Sequence, residues 1–141
     1  MKLMAVDLGD ARTGLAACDR LEMLATPLGV IQERRADRLL EQVANAIREF
    51  EIERVVIGHP VNMNGSAGDR AQKAEAFADQ LRAKTGIEVV LWDERSTTVS
   101  AHQILNETDT RGKRRKAVVD EVAATLILES YMAYRRNHPE G

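Results

Sequence analysis

The sequence predicts an α/β domain built on a mixed five-stranded sheet with helices on both faces. Three observations carry this. The amino-terminal part holds three apolar runs separated by short turns, as in an antiparallel meander. The rest alternates apolar runs with stretches of helical period, as in parallel strands joined by crossover helices. The chain has 141 residues, enough for one domain with a full core and too few for two. A single domain is expected over 1–138, with a short tail at 139–141.

Residues 2–8 read as the first strand, followed by the turn-rich Gly9-Asp10-Ala11-Arg12-Thr13-Gly14. Gly14–Cys18 is the second run, ended by Asp19-Arg20. A third run reaches Ile31 and contains Pro27, which suits an edge strand because proline gives no ladder donor. Leu39, Leu40, Val43, Ile47 and Phe50 recur at helical spacing, with Asp37 as N-cap. Arg54–Gly58 is a buried strand closed by His59-Pro60. A polar loop through Asn62, Asn64, Ser66 and Gly68 leads to a second helix with Ala74, Phe77, Ala78 and Leu81 on one face, stopped by Gly86. Ile87–Trp92 is the fifth strand. A short helix near 98–105, a basic loop over 108–116 and a last helix over about 117–136 complete the reading.

Hydrophobic residues at 44% and charged residues at 30% describe an ordinary globular protein. Twenty basic and 22 acidic residues leave a net charge of −2, which excludes a generally basic coat protein and leaves room for a local basic patch. Cys18 is the one cysteine, so no internal disulfide forms. The first strand pattern begins after Met1-Lys2 with no separate signal segment, and no run approaches the roughly 18 apolar residues of a membrane span. The expectation is a soluble, cytoplasmic protein, with monomer and homodimer both open.

Asp7 is the residue that asks most of its surroundings. It closes a run built for burial, where an unpaired carboxylate costs several kcal/mol, roughly, unless a cation or donors attend it. Glu94 stands just after the fifth strand, and both acids therefore lie at carboxyl ends of strands, where ligands gather in such sheets. Asp120, read in the first turn of the last helix, shares a face with Ala123, Ala124 and Ile127, small enough to let that helix carry it inward. Three converging carboxylates repel one another. Mg²⁺ or Mn²⁺ relieves that repulsion, and a pair of such ions roughly 3.5–4 Å apart suits phosphodiester hydrolysis. Plainer alternatives exist for each acid: Asp7 as a turn cap, Asp120 as a helix-dipole acid, and Asp93 with Glu94 as solvated charges.

These residues sit in four motifs that resemble one family. Asp7-Leu8-Gly9 with Arg12 and Gly14 resembles the opening segment of the YqgF or RuvX family, within the ribonuclease H-like superfamily. Gly58-His59-Pro60-Val61-Asn62-Met63-Asn64-Gly65-Ser66 resembles its loop, Asp93-Glu94-Arg95-Ser96-Thr97-Thr98 its acidic box, and Asp120-Glu121-Val122-Ala123-Ala124 its last-helix motif. The resemblance spans nearly the whole chain, in the right order. It implies a ribonuclease H-like sheet ordered 3-2-1-4-5 with only strand 2 antiparallel to the rest. It further implies Asp7, Glu94 and Asp120 as catalytic metal ligands of a divalent-metal nuclease. The family's name points to four-way DNA junctions, and for many members the implied role is 5′-end processing of pre-16S ribosomal RNA. The ribosomal role is the favoured expectation; the residues themselves do not choose between RNA and DNA.

Arg111, Lys113, Arg114, Arg115 and Lys116 are candidate phosphate contacts, with a solvated face as the alternative. Were all five to meet phosphates, single-strand binding should fall with salt at a log–log slope of roughly −3 to −4. Arg12 and Arg95 lie beside acids of the set, as substrate contacts or as structural ion pairs. Asn62, Asn64 and Ser66 offer donors ahead of a helix N-terminus, where anions are favoured. His59, His102 and His138 are too scattered for a zinc site, with His59 as a proton shuttle the lesser alternative. Five aromatics argue against a base-stacking platform. Two other functions compete: a non-catalytic nucleic-acid-binding module, and an actin-like nucleotide site, which needs a second domain that 141 residues do not supply.

Overall fold

A computed structural model describes residues 1–60, 68–93 and 112–138, the last stretch as backbone alone up to residue 121. Strands β1 (Leu3–Asp7), β2 (Arg12–Cys18) and β3 (Ala25–Gln32) form the meander. Helix α1 (Ala36–Glu49), strand β4 (Arg54–His59), helix α2 (Asp69–Thr85), strand β5 (Glu88–Asp93) and helix α3 (Gly112–Asn137) follow. The sheet order is β3-β2-β1-β4-β5. β2 is antiparallel to both β1 and β3, whereas β1–β4 and β4–β5 are parallel, so only β2 runs against the rest.

β1 is central, and Leu3 to Val6 are all fully buried because helices cover both sheet faces. Alternation divides the core in two. Met4, Val6, Val55, Ile57 and Val89 pack against Leu39, Val43 and Ile47 of α1 and Ala74, Phe77 and Leu81 of α2. Leu3, Ala5, Ala16 and Val56 pack against Ala124, Ile127, Leu128 and Tyr131 of α3. β3 is the edge strand that Pro27 requires, and its register with β2 shifts between Leu15 and Ala16. Gly86 ends α2 in the left-handed region at φ 74°, where glycine carries no Cβ penalty.

Three local readings are corrected. Asp37 is not the N-cap of α1: Arg35 takes that position, and Asp37 follows inside the first turn, ion-paired to Arg35 at 2.9 Å. That guanidinium holds the Asp37 carboxyl below its ordinary range. Phe50 falls at the C-cap of α1, and is 37% exposed, because the helix ends one position before its apolar stripe would return. The basic segment is largely helical, since α3 begins at Gly112. Lysine and arginine are good helix formers, no proline interrupts 112–137, and a glycine at a terminus costs less than one inside. Asp120 therefore lies in the third turn of α3 rather than the first. The expected helix near 98–105 lies outside the described residues.

Candidate functional site

β1 delivers Asp7 on the α3 side of the sheet, two positions beyond Ala5 and four beyond Leu3. Its partner across the antiparallel ladder is Gly14. On the other side, the last β1–β4 pair is Val6 with Ile57, so Gly58 comes level with Asp7. Both strands beside the carboxylate thus contribute a residue with no side chain. The turn that follows is fixed by Gly9, where a Cβ would collide with the backbone carbonyl of Arg12. This collision explains the glycine of the Asp7-Leu8-Gly9 motif physically: the chain folds back on itself immediately after the acid.

α3 brings position 120 toward the same end. Arg54, at the start of β4, donates from Nη1 to the Tyr131 hydroxyl at 3.0 Å. Glu22, in the β2–β3 turn, pairs with Arg135 at 2.8 Å and with the amino terminus of Met1 at 3.5 Å. These contacts hold the C-terminal half of α3 near the amino ends of β1 and β4. Position 120 lies eleven residues back along the helix from Tyr131, about 16 Å at 1.5 Å per residue. Leu3 to Asp7 covers about 13 Å along the strand. The helix therefore carries position 120 to the level of the carboxyl end of β1. It also lies on the sheet-facing stripe, since Ala124 and Ile127 follow it at helical spacing and are both fully buried.

Arg12 begins β2 and shares a face with Gly14, which makes it the diagonal neighbour of Asp7, with Cα atoms roughly 7 Å apart. It is half-buried. The helical basic run divides its members. Positions 113 and 116 fall within about 40° of position 120 on the helix circumference, while 114 and 115 fall well off that stripe. Glu94, Arg95, Asn62, Asn64, Ser66 and Arg111 lie outside the described residues. Among the described residues, no three His, Cys, Asp or Glu side chains gather closely enough to hold a metal.

His59 is on the opposite face from Asp7. It follows Ile57 by two positions, and its Nε2 meets Glu75 of α2 at 3.1 Å, which gives it a structural partner on the α2 side of the sheet. Among the described residues no helix is long and apolar enough to cross a membrane.

One grouping escaped the sequence reading. Trp92 of β5 stands edge-on to Tyr131 with ring centroids 5.4 Å apart, and 5.4 Å from Tyr134. Tyr134 in turn stacks on His138 at 4.3 Å. The helical spacing of Tyr131, Tyr134 and His138 was the available signal; the low aromatic count hid it.

A family model described as RuvX, Holliday junction resolvase, matches residues 1–134. Similar curated proteins are named as candidate pre-16S rRNA nucleases. One from Agathobacter rectalis is 37% identical, covering 97% of this chain and 98% of the relative. One from Halothermothrix orenii is 41% identical, covering 96% of each, and one from Listeria monocytogenes is 41% identical, covering 94% and 97%. Among solved structures, Thermus thermophilus RuvC in complex with Holliday junction substrate superimposes with a TM-score of 0.60 at 14% identity, covering 94% of this chain and 96% of that one. The fowlpox virus Holliday junction resolvase gives 0.55 at 13% identity, covering 95% and 99%. At such identities the structural likeness establishes the fold.

Proposed function

The chain belongs to the RuvX family, and we propose that it is a divalent-metal-dependent nuclease cutting phosphodiester bonds in structured nucleic acid, with the 5′ end of the 16S rRNA precursor as its substrate. The names of its relatives support the ribosomal substrate. The observation that carries the metal-dependent chemistry is the placement of Asp7. A carboxylate at the carboxyl end of the central strand is flanked by Gly14 and Gly58 and lies on the α3 side of the sheet.

The donor set fits hard divalent cations, which take oxygen ligands from carboxylates. Asp7, Glu94 and Asp120 are the proposed holders of Mg²⁺ or Mn²⁺, as a pair of ions. Bound there, such ions supply charge neutralisation at the phosphate and an activated water. The chain's own part is positional. β1 would supply Asp7 and α3 would supply Asp120, and Gly9 keeps the β1–β2 turn tight beside Asp7. Arg12, diagonal to Asp7, would hold a phosphate oxygen. Lys113 and Lys116 lie at positions that extend the Asp120 stripe, and would guide the backbone of the substrate toward it, while Arg114 and Arg115 add charge off the stripe. Arg95, Asn62, Asn64, Ser66 and Arg111 remain proposed substrate contacts on sequence grounds.

Side-by-side incubation of a pre-16S rRNA fragment and a four-way DNA junction with Mg²⁺ or Mn²⁺ tests the reading. Cleavage of the RNA, dependent on metal, is expected. Cleavage of the junction alone would make this chain a resolvase, and binding of either without cleavage would make it a non-catalytic module. Calorimetric titration of Mn²⁺ into wild type and Asp7→Asn gives a readout independent of turnover.

A further inference from the structure

Three of the five Phe, Tyr and Trp residues of the chain collect on one flank of the sheet. Tyr131, Tyr134 and His138 form a near-parallel series along α3. Tyr131 and Tyr134 are 24° apart in plane with centroids 6.5 Å apart, and Tyr134 and His138 are 19° apart at 4.3 Å. Trp92 anchors its inner end by touching both tyrosines and donating from its indole nitrogen to Ser130 Oγ at 3.2 Å. The series opens outward as it goes. Tyr131 is 4% exposed, Tyr134 is 46% exposed, and His138 is at the surface. Packing needs explain Trp92 and Tyr131. Tyr134 packs on both of them and is still 46% exposed, and no core packing accounts for the imidazole stacked on its outer side.

The inner end lies beside the proposed active site. Trp92 pairs with Gly58, and Gly58 is level with Asp7, so the three residues form a row across adjacent strands. Trp92 packs on the α3 side, as Asp7 does, about 10 Å away across two strand spacings. From there the rings lead away along α3, and the outermost, His138, has its ring nitrogen Nδ1 at 3.0 Å from the Tyr134 carbonyl. That contact fixes the imidazole plane parallel to the phenol.

Against the expectation from the low aromatic count, we propose that Tyr134 and His138 form a base-stacking platform that receives a single-stranded segment of the nucleic acid flanking the cut. The inference rests on the nuclease reading for the identity of the strand. Unpaired bases stack on Tyr and His rings whatever their sequence, and the series Tyr131–Tyr134–His138 already has the orientation that one more flat ring would continue. The platform confers a preference for substrates with an unpaired extension, and stacking makes that contribution nearly independent of salt, unlike phosphate contacts.

Trp92 is the only tryptophan, so its emission reports on this site in the intact protein. The experiment titrates a short oligouridylate into wild type, Tyr134→Ala, His138→Ala and Tyr134→Phe, without metal, following Trp92 fluorescence and, in parallel, fluorescence anisotropy of the labelled oligonucleotide. The expected results are a change in Trp92 emission on binding and an affinity lower by roughly ten-fold in each alanine variant. The salt slope should be unaltered, and Tyr134→Phe should bind as wild type does. Thermal melts confirm that each variant is folded. Alanine variants that bind as tightly as wild type, or a wild type that binds with no response from Trp92, would overturn the proposal. Cleavage is not read in this titration. A protein that stacks the strand and never cuts would fault the nuclease reading alone.

Discussion

Asp7 stands opposite Gly14 in the β1–β2 ladder, so the carboxylate at the end of the central strand has no side chain across from it. Gly58 repeats this on the β4 side. Valine is favoured over glycine in strands, so by local preference alone Gly14→Val should be tolerated or stabilising. Activity should move the other way. Gly14→Val should crowd Asp7 and lower metal-dependent cleavage by about a hundred-fold, the usual effect of an ångström-scale misplacement. A single-turnover cleavage assay on folded protein checks it.

Gly9 makes a separate prediction about stability. Gly9→Ala puts a methyl group against the Arg12 carbonyl, which belongs to backbone and cannot swing away. The turn must shift, and destabilisation of about 1–3 kcal/mol is expected, read as a lower urea midpoint. Because Asp7 and Arg12 flank that turn, cleavage should fall as well.

The turn at Glu22 ties α3 to the sheet and carries a pH dependence. Hydrogen bonds from Arg135 hold the Glu22 carboxyl below its ordinary value of 4.5, against the opposing effect of burial. A carboxyl depressed in the folded state adds stability above its unfolded value, and that stability is lost as pH falls through the folded one. Glu22→Gln should therefore lower stability at neutral pH, by up to about 1 kcal/mol for a partly exposed pair. The gap between variant and wild type should close as the pH drops below about 4.5. Melting curves across that range measure it.

Tyr131→Phe tests the anchor at the other end of the helix. Arg54 is 4% exposed and keeps Glu88 at 2.7 Å when the phenol oxygen is removed, so the charge retains a partner. The loss is one hydrogen bond to a charged group, about 1.5 kcal/mol, read as a lower urea midpoint. The ring remains, and oligonucleotide affinity should not change.

Much of this was legible in the residues. The buried run ending in Asp7, the edge-strand Pro27 and the terminating Gly86 each state a local physical requirement, and the fold meets all three. The resemblance supplied the strand order, which periodicity alone does not fix. The start of α3 was misread because glycine beside a charge run looks like a loop, although Lys and Arg sustain a helix well. Asp37 was misread because an acid at a helix start serves equally in the cap or the first turn. The aromatic series was missed for a different reason. Trp92 and Tyr134 are 42 positions apart, and only the packing of α3 across the sheet brings their rings together.

Asp7 as a metal ligand and Asp7 as a turn cap differ in what they require of its charge. Asparagine can still cap a turn but carries no charge for a cation. Metal-dependent cleavage of the pre-16S rRNA fragment by Asp7→Asn, beside wild type and with folding verified, is the most direct test. Loss of cleavage together with loss of Mn²⁺ binding in the calorimeter is expected. An Asp7→Asn protein that cuts at the wild-type rate would contradict it.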